Sequence, residues 1–280
     1  METHQAERCR GPLLAVTPDT VLEALTPSTR AVMPVLYGGR AVDLTPIRGH
    51  LAGRGIQIVE DAAHAFGSRY PNGTMVGADP AVLTCFSHDP IKNLTTGQGG
   101  TIVPRTREEA AALRSLRLFG IVQSKDARAS LTSYEVQGPG MRFDMSQLNA
   151  AIGLAQLERF PQTAAVRQHL WCTYQAELAG LDGIRLVDVD VAKTVPFNCV
   201  VLLKRHRDNI FLHLREHDIG FAVHYPPNHS QVAFSAWRRD LPVTGQVAGR
   251  ILGLPFHPSM THDSVRYTVA ALADAIKATS

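Results

Sequence analysis

Hydrophobic and polar positions follow two different periods along the first half of this chain, and each change of period marks a new element. Residues 30–37 (RAVMPVLY) are β-branched and apolar and stop at Gly38-Gly39. Residues 56–60 (IQIVE) and 81–87 (AVLTCFS) are compact apolar runs, and 100–103 is a shorter one. All four read as strands. Between them, residues 17–25, 44–54 and 107–118 carry helical spacing. Thr17 can cap the first helix, with Pro18 at its opening position. The last is acidic early and basic late, as the helix dipole favours. Strands alternating with helices predict an α/β fold, a mostly parallel sheet with covering helices.

The pattern changes at Ser146. Residues 146–158 (SQLNAAIGLAQLE) predict an Ala- and Leu-rich helix with a serine start, and Pro161 either interrupts it or opens a second helix running to about residue 178. Beyond lie a predicted strand over 197–204, a helix over 208–217, a strand over 220–224, and a final helix over 261–277 capped by Thr261. This mixture predicts a smaller α+β domain. We divide the chain into residues 1–160 and 161–280.

Ligands of open α/β sheets bind at the carboxyl ends of the strands, and three features collect there. Glu60-Asp61 follows the strand IQIV directly. A carboxylate at that point can face a cationic ligand, or cap the helix that follows. His64 is close enough in sequence to join it. Ser87 ends the strand AVLTCFS, where a hydroxyl can donate to a phosphate oxygen. Lys92 lies just beyond, where partial burial would lower its pKa and make its amine nucleophilic. The turn NLTTGQGG (93–100) has glycines that let backbone approach a ligand closely. It is no P-loop, because the lysine precedes the glycines, and no GxGxxG opens a helix after a strand. His224 and His229 in HYPPNH are separated by two prolines, too few ligands for zinc, and no metal site is predicted.

Composition narrows the classes further. With 45% hydrophobic and 19% charged residues, the 280-residue chain can bury a sizeable core. Its net charge of +3 is spread without a basic run, which argues against nucleic-acid binding. Cys9, Cys85, Cys172 and Cys199 form no CxxC pair, so a reducing cytoplasm is expected rather than a disulfide framework. No apolar run approaches the length of a membrane helix, and the polar stretch 1–10 has no apolar core behind it, unlike a signal peptide.

In order along the chain, TPSTRAVMPVLYGG, IVEDAAHAFGS, CFSHDPIKNLTTGQGGTIV, GMRFDMSQLNAAIGLAQLER, FAVHYPPNHSQ and LPFHPSMT resemble the motifs of the DegT/StrS sugar aminotransferases. These are pyridoxal-phosphate enzymes of the aspartate aminotransferase fold. The likeness extends from about Val16 to Ile276. It implies that Lys92 bonds the cofactor through an imine and shuttles protons, and that Asp61 pairs with the pyridinium nitrogen. It puts His64 near the ring hydroxyl, Ser87 on the phosphate, and Arg142 where a polar or basic residue reaches the neighbouring subunit's phosphate. His224, Tyr225 and His229 fall in a segment the family assigns to substrate. A lysine at position 92 argues against the family's dehydratase branch, which has histidine there.

The resemblance further implies an enzyme of aminosugar, antibiotic or polysaccharide biosynthesis. Such an enzyme acts on a nucleotide-activated keto sugar, with glutamate as amino donor, and works as a homodimer. The family carries an N-terminal segment of on the order of a hundred residues, the size of a small domain, with a glycine- and threonine-containing phosphate loop and a ring-stacking aromatic. Neither is found here, and residues 11–14 are no substitute. Residues 194–198 also depart from the family's aromatic pattern. A short chain of this kind is expected to bind cofactor weakly. The alternatives are a catalytically silent partner subunit of a full-length homologue, or another pyridoxal enzyme of the same fold, such as an aldolase or epimerase.

Overall fold

The computed structural model describes residues 14–123, 125–205 and 207–278. The polar stretch 1–10, with Cys9, lies outside the described residues. The chain forms two compact units that meet at Pro161–Gln162.

The first unit opens with α1 (Pro18–Ala24). Thr17 Oγ1 accepts the Thr20 amide at 3.3 Å, and Thr20 Oγ1 accepts the Thr17 amide at 2.8 Å, closing both ends of a capping box. After α1 come β1 (Ala31–Val32), α2 (Arg48–Gly53), β2 (Gln57–Asp61), β3 (Leu83–Ser87), β4 (Gly100–Val103), α3 (Arg107–Leu116) and the short α4 (Lys125–Ala129). The sheet runs β1-β2-β3-β4, with the first three strands parallel and β4 antiparallel to β3. The predicted strand over 30–37 is cut to two residues. Pro34 has no N–H for the ladder, and the chain rejoins β2 only through a bridge from Val35 to Asp61 before turning at Tyr37–Gly39. Leu36, Leu44, Ile47, Leu51, Ile56 and Ile58 fill the core on one face of the sheet.

The two acidic residues at the end of β2 point to opposite faces, as strand geometry requires. Glu60 turns into this core, only 2% exposed, where Tyr70 donates to Oε1 at 2.5 Å and Thr84 donates to Oε2 at 3.1 Å. Burial raises its pKa above the usual carboxylate range despite those two donors.

Helix α5 (Gln147–Glu177) spans the meeting point of the units as one element. Pro161 neither interrupts it nor starts a new one. A helix this long tolerates the one backbone bond the proline removes. Ser146 Oγ accepts the Asn149 amide at its start, 3.1 Å away. The second unit has β5 (Ile184–Leu186), β6 (Cys199–Leu203), α6 (Asp208–Glu216), α7 (Pro242–Ala248), β7 (Ile251–Leu254) and α8 (His262–Ala278). Its sheet is antiparallel, in the order β5-β6-β7. Its core holds Trp171, Tyr174, Leu203, Leu214, Leu252 and Leu272. The predicted strand over 220–224 is reduced to one bridge, Ala222 to Gly253, and β5 and β7 had no counterpart in the sequence reading.

The buried Glu60 gives stability a pH dependence of known sign. The folded chain holds the Glu60 proton more tightly than the unfolded chain, so this group's contribution falls as pH rises above the unfolded value of about 4.3. Glu60→Gln should therefore lose less stability than the parent between about pH 5 and about pH 8, measured by urea unfolding. Equal losses would show that the carboxyl does not titrate in this window.

Candidate functional site

Parallel pairing of β2 with β3 sets Asp61 opposite Cys85 and brings the carboxyl ends of both strands to one edge. Asp61 leaves the strand on the face opposite Glu60. Its Oδ1 accepts the Ala63 amide at 3.0 Å and holds a turn; among the described residues no helix stands between β2 and β3 for it to cap. The thiol of Cys85 is pushed up by burial and then by the charge of Asp61.

His64 follows on the turn after β2 and is buried. The Gly38 amide donates to its Nδ1 at 3.4 Å. The proton of the neutral ring then belongs on Nε2. Gly38 can offer that amide because it sits at a φ of 66°, a conformation glycine adopts without strain. The Tyr37 ring is tilted against His64, with centroids 5.9 Å apart.

Ser87 ends β3 opposite Gly100, the first residue of β4. The loop between them, residues 88–99, carries Lys92. Ser87 Oγ accepts the Asp89 amide at 3.4 Å, and the Asp89 carbonyl accepts the Lys92 amide at 3.0 Å. Burial lowers the Lys92 pKa, while the charges of Asp89 and Asp61 pull it back up. The amine and the Asp61 carboxylate are thus within electrostatic reach of each other.

The rest of the loop is strongly tied. The carbonyl of His88 accepts the Thr96 amide at 3.0 Å, and its amide donates to Gly99 at 2.8 Å. Asn149, at the start of α5, donates to the Thr96 carbonyl at 2.6 Å. Gly99 has a φ of 148°, and a Cβ there would lie 2.6 Å from Met145 Cε. The sequence reading missed His88 and Asn149. The run SHD, which begins at Ser87, was the available signal for the first, while only the fold could bring the second to the loop.

Arg142 stands apart from this group. Its guanidinium is mostly exposed and pairs with Asp144 at 3.2 Å, and its backbone bridges Leu118. His224, Tyr225 and His229 belong to the second unit, where the His224 ring meets Phe197 edge-on at 6.0 Å. Among the described residues Cys85, Cys172 and Cys199 are free thiols, no group of three or more His, Cys, Asp or Glu could share a metal ion, and no helix is long and apolar enough to cross a membrane.

Residues 11–273 match the DegT/DnrJ/EryC1/StrS aminotransferase family, and the chain belongs to it. It is 32% identical to the spore coat polysaccharide biosynthesis protein SpsC of Bacillus subtilis (strain 168), over 94% of this chain and 71% of that protein. Among solved structures it resembles DesV of S. venezuelae at 30% identity and a TM-score of 0.84, covering 94% of this chain and 69% of DesV. It also resembles DesI, solved in the presence of its TDP-sugar product, at 25% identity and a TM-score of 0.82, covering 94% of this chain and 66% of DesI.

The chain is accordingly an enzyme, a sugar aminotransferase of a family that uses pyridoxal phosphate. Its strand-end residues suit that cofactor. They combine an amine with a lowered pKa, a carboxylate within its electrostatic reach and a hydroxyl one turn away.

The Asn149 tether makes a prediction. Asn149→Ala removes the side-chain hydrogen bond to the Thr96 carbonyl, worth on the order of 1 kcal/mol, together with the one Asn149 accepts from the Ser146 hydroxyl. Amide exchange across residues 93–99 should speed up about fivefold in hydrogen-exchange mass spectrometry, with β6 unchanged. Unaltered exchange in the loop would mean that the tether does not hold it.

Proposed function

We propose that this chain transfers an amino group from glutamate to a nucleotide-activated keto sugar, and that Lys92, Asp61, Ser87 and His64 form its cofactor site. One observation carries the reading. A partly buried amine and a carboxylate that raises its pKa stand at the carboxyl ends of neighbouring parallel strands. When bound, pyridoxal phosphate supplies an aldehyde that bonds an amine and a pyridinium ring that withdraws electrons. Lys92 offers the amine, and burial increases the share of it that is uncharged and nucleophilic. With the cofactor bound, Lys92 Nζ would take a proton from the donor carbon and return one to the sugar carbon. The Asp61 carboxylate keeps the ring nitrogen protonated. Ser87 would offer its hydroxyl to the phosphate, and His64 would offer Nε2–H to the ring hydroxyl. In this reading residues up to 160 bind the cofactor and the remainder forms the smaller domain. Arg142 serves a neighbouring subunit's phosphate, and His224, Tyr225 and His229 serve substrate; these four roles rest on the family resemblance alone.

The nucleotide sugar is supported by the TDP-sugar product of DesI, and glutamate by resemblance. We further assign the chain to the cytoplasm and to a homodimer. Leu116, Phe119, Met141, Phe143, Leu148 and Leu154 are all exposed on residues 116–154; clustered exposed apolar side chains mark association surfaces, and a second copy would cover them.

Borohydride reduction of the cofactor-loaded protein, followed by peptide mapping, should label Lys92. A label on another lysine, with Lys92 clean, sinks the assignment. Absorbance on adding cofactor separates this reading from that of a silent partner subunit, which would show no change.

Asp61→Ala should slow the glutamate half-reaction by roughly a hundredfold or more, the range for losing one preorganised electrostatic contact, with a smaller effect on cofactor affinity. A parental rate would leave Asp61 as a turn residue only.

Light scattering at micromolar concentration should report a dimer. Leu148→Glu and Phe143→Glu together should shift it toward monomer, and a well-folded monomeric parent would contradict the assignment.

A further inference from the structure

His88 is only 4% exposed, and the loop that carries Lys92 is built around it. The Leu94 carbonyl lies 3.2 Å from Nδ1, and the Thr101 hydroxyl lies 2.7 Å from Nε2. A carbonyl can only accept, so Nδ1 carries a proton, and in the neutral ring Nε2 then accepts from the Thr101 hydroxyl. One imidazole therefore joins the middle of the loop, two residues past Lys92, to edge strand β4. The Phe66 ring packs edge-on against it at 5.9 Å. Burial lowers its pKa, opposed only by the Leu94 carbonyl, and no carboxylate contributes.

We propose that His88 is the positioning residue of Lys92: its neutral imidazole pins loop 88–99 to β4, and taking up a proton releases the loop. A charged imidazole here would be buried against a ring, a hydroxyl and a carbonyl, without a counter-charge. In the open loop the same ring meets water and titrates near about 6.5. The closed loop binds the proton less tightly than the open one. Closure is therefore favoured above that value and is progressively lost as pH falls below it. Lys92 is held for chemistry at neutral pH and let go in acid. The importance of this for catalysis rests on Lys92 being the cofactor's amine; the release of the loop does not.

The test uses the whole chain without added cofactor. Hydrogen exchange across residues 89–99, corrected for the intrinsic pH effect, should rise up to about tenfold between about pH 7.5 and about pH 5.5, while β6 stays constant. His88→Gln keeps a donor and an acceptor but cannot titrate, and should abolish that rise while keeping the loop closed at neutral pH. Thr101→Val removes one end of the latch. It should speed loop exchange at both pH values without opening the loop fully, so a rise in acid persists because His88 remains. The same acid-induced rise in His88→Gln, or no rise in the parent, overturns the proposal. Should His88→Gln fail to fold, loss of the pH dependence in Thr101→Val would overturn it too. The borohydride map separately decides whether Lys92 is the cofactor lysine, so the two claims can fail independently.

Discussion

The pairing of β2 with β3 is the constraint on which the candidate site depends. Because the strands run parallel, both chains leave the sheet at the same edge, and Asp61 and Ser87 leave together. The pairing is itself secured from the other face, where Thr84 of β3 and Tyr70 both donate to Glu60 of β2. Two adjacent acidic residues thus divide the work. Glu60 fastens the strands inside the core, and Asp61 is left facing the lysine.

The second level of order is the loop. A lysine on twelve residues joining two strands would ordinarily sample many positions, since loops are the mobile parts of folds. Here the backbone of His88 receives and gives hydrogen bonds across the loop's base, its ring spans the interior, and Asn149 holds the glycine turn from α5. Glycines suit positions 97 and 99 because the backbone there sits at φ values of 79° and 148°, which residues with a side chain rarely adopt. The rigidity of the lysine's mount is built from groups that have no chemistry of their own to perform.

Much of this was legible in the chain itself, wherever local pattern decides the outcome. The apolar runs at 56–60 and 81–87 form strands, and Thr17, Ser146 and Thr261 cap helices with their hydroxyls. What escaped depends on partners far away in sequence. Ile251–Leu254 contains a glycine and is a strand because β6 lies beside it. Residues 220–224 look like a strand but find one bridging partner. Val35 reads as strand interior, yet Pro34 limits the pairing to a bridge. At the site, Lys92, Asp61 and Ser87 stand out by following strands, whereas His88 looks like one more loop polar residue until Thr101 is folded against it.

Strand β4 closes the described sheet on one side, and its outer backbone groups are paired with no other described strand. Such a row is a template on which another chain can add itself. This one is only four residues long, begins with a glycine, and is followed at once by Pro104 and by Arg105, which is pinned to Glu109 and Gln57. The proline offers no N–H, and the arginine presents charge to an incoming strand. The colloidal behaviour of the protein is therefore guarded by two residues next to the edge, and replacing them with flat, uncharged ones would turn the strand that anchors the lysine's loop into a seed for aggregation.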